Sequence, residues 1–339
     1  MSDSRLLATG TSRKRGLVIR RGLQFLASCT LIAGLVRPAS AQPVFPDKPV
    51  RVIVAFAAGG VADVAGRLIS QRLSERLNQN FVVENHGGAG GVLGAKLVNA
   101  APADGYTILI TTSAVVISAI SSENSVNPSR QLTPIAMIAS TPDAFAVHDS
   151  VKSNSLMDYV RVQKGGQFTY ATAGAGTLEH LTSEYVFKSE KGLHPSHVPF
   201  RGGTPALNAL LGQQVDMVVA AMPAPLALVR SGGLRILAVA SHKRVPAAPN
   251  IPTLAEQGFK DLESLAWIGM FAPQGTPAPI AKALNSAVND ALNSSDMKDR
   301  FTALGFSVQT SPQGEFVKYV DGELKQWAGI AKTIGFSLN

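Results

Sequence analysis

Residues Val50-Arg51-Val52-Ile53-Val54-Ala55-Phe56, followed at once by Ala57-Ala58-Gly59-Gly60, set the reading of the chain. The run is rich in β-branched residues and apolar at every position but Arg51. That is the composition of a parallel strand covered on both faces. The two glycines close it. Beyond them Val61, Ala65, Ile69, Leu73 and Leu77 recur every four residues, with Val64 and Leu68 beside them, which predicts a helix with one apolar face. The unit is strand, glycine turn, helix.

The same rhythm repeats on both sides of the chain's middle. Phe81-Val82-Val83 is a second strand, running into Asn85-His86-Gly87-Gly88-Ala89-Gly90-Gly91 and a helix through Val98. Tyr106 to Thr112 is a third strand and Ile135-Ala136-Met137-Ile138 a fourth. Phe168-Thr169-Tyr170-Ala171-Thr172 leads into Gly174-Ala175-Gly176-Thr177 and a helix, and His197-Val198-Pro199-Phe200 into Arg201-Gly202-Gly203-Thr204 and another. Met217 to Ala220 and Ile236 to Val239 are further buried strands. The last third is helical, over Pro279–Leu292 and Pro312–Ala331. Strands alternating with helices predict βαβ units and an α/β class, with helices on both sheet faces.

The chain has 339 residues, 45% hydrophobic and 16% charged, enough for two domains and too apolar for a disordered protein. Its net charge of +8 is concentrated at one end. Residues 1–41 hold seven basic groups and one acid, which leaves 24 Lys and Arg against 22 Asp and Glu in residues 42–339. A near-neutral remainder argues against a nucleic-acid partner. The same first 41 residues read as an export signal: a basic segment ending at Arg20-Arg21, an apolar run from Leu23 to Val36, and Ala39-Ser40-Ala41 as the cleavage site. The run is short for a membrane span. Arg20-Arg21 partly matches a twin-arginine signal, and Leu26-Ala27-Ser28-Cys29 partly matches a lipoprotein box, so both routes stay open. Cleavage after Ala41 removes the chain's one cysteine and leaves a periplasmic protein without thiols.

Three glycine-rich loops stand between a strand and a helix. Backbone N–H groups at a helix start, with glycines that let the chain approach closely, bind a carboxylate or phosphate without a cationic side chain. Dinucleotide binding is disfavoured. Gly88 and Gly90, and again Gly174 and Gly176, supply two glycines of G-x-G-x-x-G, but Leu93 and Glu179 stand where the third is needed. The P-loop, H-E-x-x-H and G-x-S-x-G patterns are absent, and the histidines are scattered. The expectation is a protein that is not an enzyme and that carries no metal or organic cofactor.

An ordered set of segments resembles the Bug family, the TctC-type extracytoplasmic solute receptors of tripartite tricarboxylate transporters. The set begins with Phe45-Pro46-Asp47-Lys48-Pro49-Val50-Arg51 and Phe56 to Asp63. It continues through Val82 to Asn85, the Gly87 to Gly91 run, Ala103-Asp104-Gly105-Tyr106-Thr107, Gly174 to Thr177 with His180-Leu181, and His197 to Gly202. It ends with Leu234 to Val239, Ile251 to Glu256, Trp267-Ile268-Gly269 and Ala272 to Pro277. His86-Gly87 stands where the family usually has Arg-Pro. Phe200 replaces a common Tyr, and Asn208-Ala209 lacks an acid often seen there.

The resemblance implies a type II periplasmic binding protein-like fold, with two lobes, a hinge and a central ligand cleft. Lobe 1 would comprise residues 42–142 and 270–339, and lobe 2 residues 143–269, with crossings near Thr141–Val147 and Trp267–Ala272. It implies a receptor that captures a small organic carboxylate (a di- or tricarboxylate, an acidic amino acid or an aromatic carboxylate). The receptor would be a monomer and would deliver its ligand to a membrane permease with large and small subunits. Sensing for a signalling partner, or a periplasmic hydrolase or isomerase of a carboxylate, are the alternatives.

By position the carboxylate-gripping loops would be Phe56, Ala57, Ala58, Gly59, Gly60 and Asp63 on one side and Gly174, Ala175, Gly176 and Thr177 on the other. Thr111, Thr112 and Ser113 would line the cleft. Arg201 and Asp216 are candidates in the second lobe. Asp63 serves equally as a helix-dipole partner, Arg201 as a surface ion pair and Asp216 as a turn residue. A salt bridge from Arg201 to a distal carboxylate would favour dicarboxylates.

Overall fold

The computed structural model describes residues 45–163, 167–189, 193–200, 202–259 and 262–335. The expected signal segment, with Cys29 and Ala41, lies outside the described residues, as does Arg201.

Val50–Val54 forms β1, with Arg51 alone turned to solvent, where it pairs with Glu84 of the neighbouring strand (Nη2 to Oε2 2.8 Å). The helix predicted after it is α1, Val61–Leu77, and β2 is Phe81–Asn85. Next come α2 (Val92–Asn99), β3 (Thr107–Thr112), α3 (Ala114–Ser121) and the long β4 (Leu132–His148). The middle of the chain holds α4 (Leu156–Val162), β5 (Thr169–Thr172), α5 (Leu178–Ser189), β6 (Ser196–Pro199), α6 (Gly203–Leu211), β7 (Met217–Ala221), α7 (Pro223–Ser231) and β8 (Leu234–Val239). The chain then runs through β9 (Leu265–Pro273), α8 (Ala278–Leu292), α9 (Ser295–Ala303), β10 (Ser307–Val308) and α10 (Gln313–Thr333).

The strands lie in the order β2-β1-β3-β9-β4-β7-β5-β6, with β8 and β10 also paired to β4. β1 is parallel to β2 and β3, and β5 is parallel to β6 and β7, as the alternating pattern predicts. The centre differs: β4 and β9 run antiparallel to every strand they pair with. A short apolar run fixes burial but not direction, so this was not legible locally. β4 is also far longer than the expected Ile135–Ile138. Its residues Leu132–Pro142 pair with β9, and from Asp143 onward it pairs with β7 and then β8.

Side-chain alternation explains why both faces of the sheet are covered. Val52, Val54, Ile108 and Ile110 point into one core with α1, α8 and α9, while Ile53, Ala55 and Leu109 point into another with α2, α3 and α10. The same alternation sends Ala144 and Ala146 of β4 toward α6 and α7, and Phe145 and Val147 to the opposite core.

Helix α2 lies very close to the end of β1. A methyl group at Gly94 would sit 2.9 Å from the Ala55 backbone and 3.1 Å from the His86 carbonyl. Gly94→Ala therefore forces the backbone beside Phe56 to move. Overpacking of this kind costs about 1–3 kcal/mol, and alanine's better helix propensity returns up to about 1 kcal/mol. The expected net loss is about 1.5 kcal/mol, read as a lower urea midpoint at unchanged slope. An unchanged midpoint would contradict the close approach.

Candidate functional site

A cavity of about 610 Å³ opens at the carboxyl ends of β3 and β5, where ligands bind in α/β sheets. One wall is the turn after β5, residues Ala173 to Thr177, leading into Leu178 and Glu179 of α5. The facing wall is Thr112 and Ser113 at the end of β3, with Ile117, Ser118 and Ser121 of α3. Phe56, Val61, Ala89 and Gly90 close one side. Ala221, Ala266, Trp267, Ile268 and Phe306 close the rest.

The β5 turn is braced from beneath. The Thr172 hydroxyl donates to the Gly174 carbonyl (3.0 Å) and accepts from the Gly174 N–H (3.3 Å). It also meets His197 Nε2 at 2.8 Å. Gly176 N–H donates to His180 Nδ1 (3.0 Å), and the Thr177 hydroxyl donates to Gly174 O (3.0 Å). These bonds place the ring proton of each imidazole on Nε2. The rings of His180 and His197 stack at 3.8 Å, and Tyr170 stacks on His197 at 4.9 Å. Burial lowers both histidine pKa values, that of His197 to about 4 with a further push from His180. Most amides of the turn are thus engaged internally. Among the described residues the Ala175 N–H finds no hydrogen-bond partner, and Ala175 stands on the cavity wall. Positive φ at Gly174 (155°) and Gly176 (72°) lets the turn take this shape.

The turn after β1 behaves differently from its expected role. Phe56 lines the cavity, but Ala57, Ala58, Gly59, Gly60 and Asp63 do not. The His86–Gly91 loop packs against the start of this turn, with a Cβ at Gly87 only 3.1 Å from Ala57 N, while Ala57 to Gly60 stay exposed to solvent. Ala89 and Gly90 of that upper loop reach the cavity instead. Asp63 is buried and holds the lower turn in place. It accepts from Gly59 N–H (2.8 Å), Asn85 Nδ2 (2.9 Å) and Arg67 (3.0 Å). Burial alone would raise its pKa, but these hydrogen bonds outweigh it and hold the carboxyl below its usual range.

Two further expected residues stand elsewhere. Thr111 is fully buried on the other side of β3, its hydroxyl without a partner and facing Gly91. Asp216 lies at the opposite end of the β-strands, before β7, where it accepts from Thr169 N–H (2.7 Å) and Thr169 Oγ1 (2.8 Å). It borders a separate recess of about 360 Å³ with His148 and Lys152. Thr112, Ser113, Gly174, Ala175, Gly176 and Thr177 do converge on the main cavity. Ser118 and Glu179 are lining residues that the sequence does not single out as binding residues, and Trp267, which reads in sequence as a core residue, lines the cavity too. Ser118 lies in an apolar helix, and Glu179, in the first turn of α5, stands where a dinucleotide loop would need its third glycine.

Trp267 is buried, and its indole N–H donates to Glu323 Oε2 (3.1 Å), which also accepts from Trp327 Nε1 (3.3 Å). Among the described residues no group of three or more metal-ligating side chains converges, and no helix is long and apolar enough to cross a membrane.

A mixed sheet clothed in helices on both faces, with a cleft at the strand ends, defines the periplasmic binding protein class. Known structures agree. The periplasmic binding protein BugD superposes with a TM-score of 0.75 at 30% identity, over 86% of this chain and 99% of that one. A Rhodopseudomonas palustris protein, Rpa4515, solved with adipate, gives 0.78 at 31% identity, over 86% and 99%. MatC from the same organism, with bound malate, gives 0.72 at 30%, over 84% and 99%. In sequence, Protein BugT of Bordetella pertussis (strain Tohama I) is 32% identical over 311 residues, 90% of this chain and 95% of that protein. Residues 65–336 match the tripartite tricarboxylate transporter family receptor. The chain belongs to this family, the Bug or TctC receptors, and is a solute-binding receptor of it.

Proposed function

We propose that the protein is a periplasmic receptor that captures a small organic carboxylate in the 610 Å³ cavity and passes it, unchanged, to a permease of large and small membrane subunits. The observation that carries this reading is the chemistry of the two facing walls. One includes Ala175, whose N–H can donate, and the other Thr112, Ser113 and Ser118, whose hydroxyls can donate, so both walls carry groups that suit a carboxylate. Adipate and malate in the related structures support the ligand class.

The walls belong to different halves of the sheet, which supports two lobes, residues 42–142 with 270–339 and residues 143–269. β4 changes partners at Pro142 and Asp143, and β9 returns beside it, so rotation about these two strands would close the cleft on a ligand. Export with cleavage after Ala41 would place the receptor in the periplasm, where it acts as a monomer without a cofactor.

A thermal-shift screen of mono-, di- and tricarboxylates tests the reading. A ligand at about 100 times its Kd adds about 2.7 kcal/mol, which raises the midpoint of a chain this size by about 5 °C. The Thr112→Val, Ser118→Ala double variant is expected to lose at least tenfold in affinity while keeping its midpoint without ligand. If no carboxylate shifts the midpoint, or if a bound acid is recovered chemically altered, the proposal falls.

A further inference from the structure

We propose that Glu179 makes this cavity select carboxylates that also bear an ammonium group and reject dicarboxylates of the same length. The inference rests on the carboxylate-receptor reading and narrows it. Among the described residues that line the cavity, Glu179 is the only ionisable one; no described lysine, arginine or histidine faces the space. The hydrogen-bond donors that suit a carboxylate stand on the wall across from it, at Thr112, Ser113 and Ser118, and at the Ala175 N–H of the turn that leads into Glu179. The cavity is therefore polarised, with donors around it and one acid at the start of α5.

A second acid stands behind the first. Asp143 is completely buried on β4, and its Oδ2 accepts from Ser264 Oγ (2.7 Å) and Thr182 Oγ1 (3.2 Å). Thr182 follows Glu179 by less than one turn of α5, so the two carboxyls sit on the same side of that helix. Asp143 Oδ1 has no hydrogen-bond partner. Burial raises the pKa of both acids, and the charge of Glu179 raises that of Asp143 further. Hydrogen bonds work against the rise at both, from its own N–H at Glu179 and from Ser264 and Thr182 at Asp143. Of the two acids Glu179 is the one that borders the cavity, where a ligand ammonium would favour its charged form.

The charged groups described nearby are engaged elsewhere. On α5, Lys188 pairs with Glu184 (3.1 Å), and His180 is held neutral by burial while accepting from Gly176 N–H. On α10, the Glu323 carboxyl is taken up by Trp267 and Trp327. A ligand ammonium would meet Glu179 as a charge-assisted hydrogen bond in a poorly solvated site. A second ligand carboxylate in the same place would meet like charge and lose its water.

The test measures Kd by calorimetry for three matched pairs that differ by the ammonium group: glutamate and glutarate, leucine and 4-methylpentanoate, phenylalanine and 3-phenylpropanoate. At pH 7 the wild-type protein is expected to bind the amino member of its best pair at least tenfold more tightly. Glu179→Gln, which keeps the size of the side chain, is expected to bring the two members within threefold, weakening the amino acid and strengthening its partner. If the wild-type protein binds the desamino acids equally or better, or if Glu179→Gln leaves the ratio unchanged, the selectivity assigned to Glu179 is wrong while carboxylate binding stands. If neither member of any pair binds, the selectivity assigned to Glu179 falls, and the wider carboxylate screen decides the receptor reading separately.

Discussion

Glu323→Gln is expected to stabilise the protein by about 3 kcal/mol at pH 8 and to leave it nearly unchanged below pH 4.5. Glu323 is buried on α10, and burial, with the nearby charge of Glu263, pushes its pKa up to about 7, although two indole N–H donors oppose the rise. The folded state therefore holds a proton that the unfolded chain has already released above its ordinary pKa of 4.5. Stability is lost as pH rises through that window, and the loss is complete above pH 7. A shift of this size corresponds to about 3.4 kcal/mol. Glutamine keeps an oxygen for both indoles and has nothing to ionise. Its amide nitrogen can face the recess of about 380 Å³ that Glu323 borders with His242 and Gln326.

A contrasting substitution separates charge from hydrogen bonding. Glu323→Leu strands the Trp267 and Trp327 N–H groups, each at about 1–3 kcal/mol, so it should be less stable than wild type at pH 4.5. The measurement is urea unfolding of all three proteins at pH 4.5, 6 and 8. If the wild-type and Gln curves run parallel with pH, Glu323 ionises in the folded state as it does in water. Trp267 is also part of the cavity wall, so the Glu323 clamp fixes a surface that the ligand meets.

The parts of this molecule that were legible in sequence are those governed by short-range periodicity. The β1 run, the four-residue recurrence of α1 and the helices Ala278–Leu292 and Gln313–Thr333 follow from local pattern, and the structure has them within a few residues of expectation. The direction of β4 and β9 was not legible, because pairing partners more than a hundred residues apart decide it. The candidate site divides in the same way. The Gly174–Thr177 turn follows from glycines at a strand end. That Ala89 and Gly90, and not Ala57–Gly60, border the cavity depends on how Gly87 packs against Phe56 and Ala57, a contact between separate segments. Thr111 and Thr112 show the finest case: adjacent hydroxyls on one strand point to opposite faces, and only one reaches the cavity.

Acid should weaken the wild-type protein more than His197→Phe, by about 2 kcal/mol between pH 7 and pH 4. His197 sits between Tyr170 and His180, and burial is the main cause of its depressed pKa, about 4 against 6.5 in a free chain. The unfolded chain takes up a proton as pH falls below 6.5, while the folded state resists until about pH 4. Stability is therefore lost across that window and not above it. The full shift would amount to about 3.4 kcal/mol, but the ring is half-buried, and screening by solvent reduces this to about 2 kcal/mol. Phenylalanine keeps the stacked arrangement and cannot take a proton. The Thr172 hydroxyl still holds both the carbonyl and the N–H of Gly174. All other titrating groups are common to both proteins, so the difference between their urea midpoints at each pH isolates His197. Equal losses in the two proteins would show that this imidazole titrates as if exposed. The wider loss predicted for the wild type would show that a neutral ring underpins the turn that presents Ala175 to the ligand.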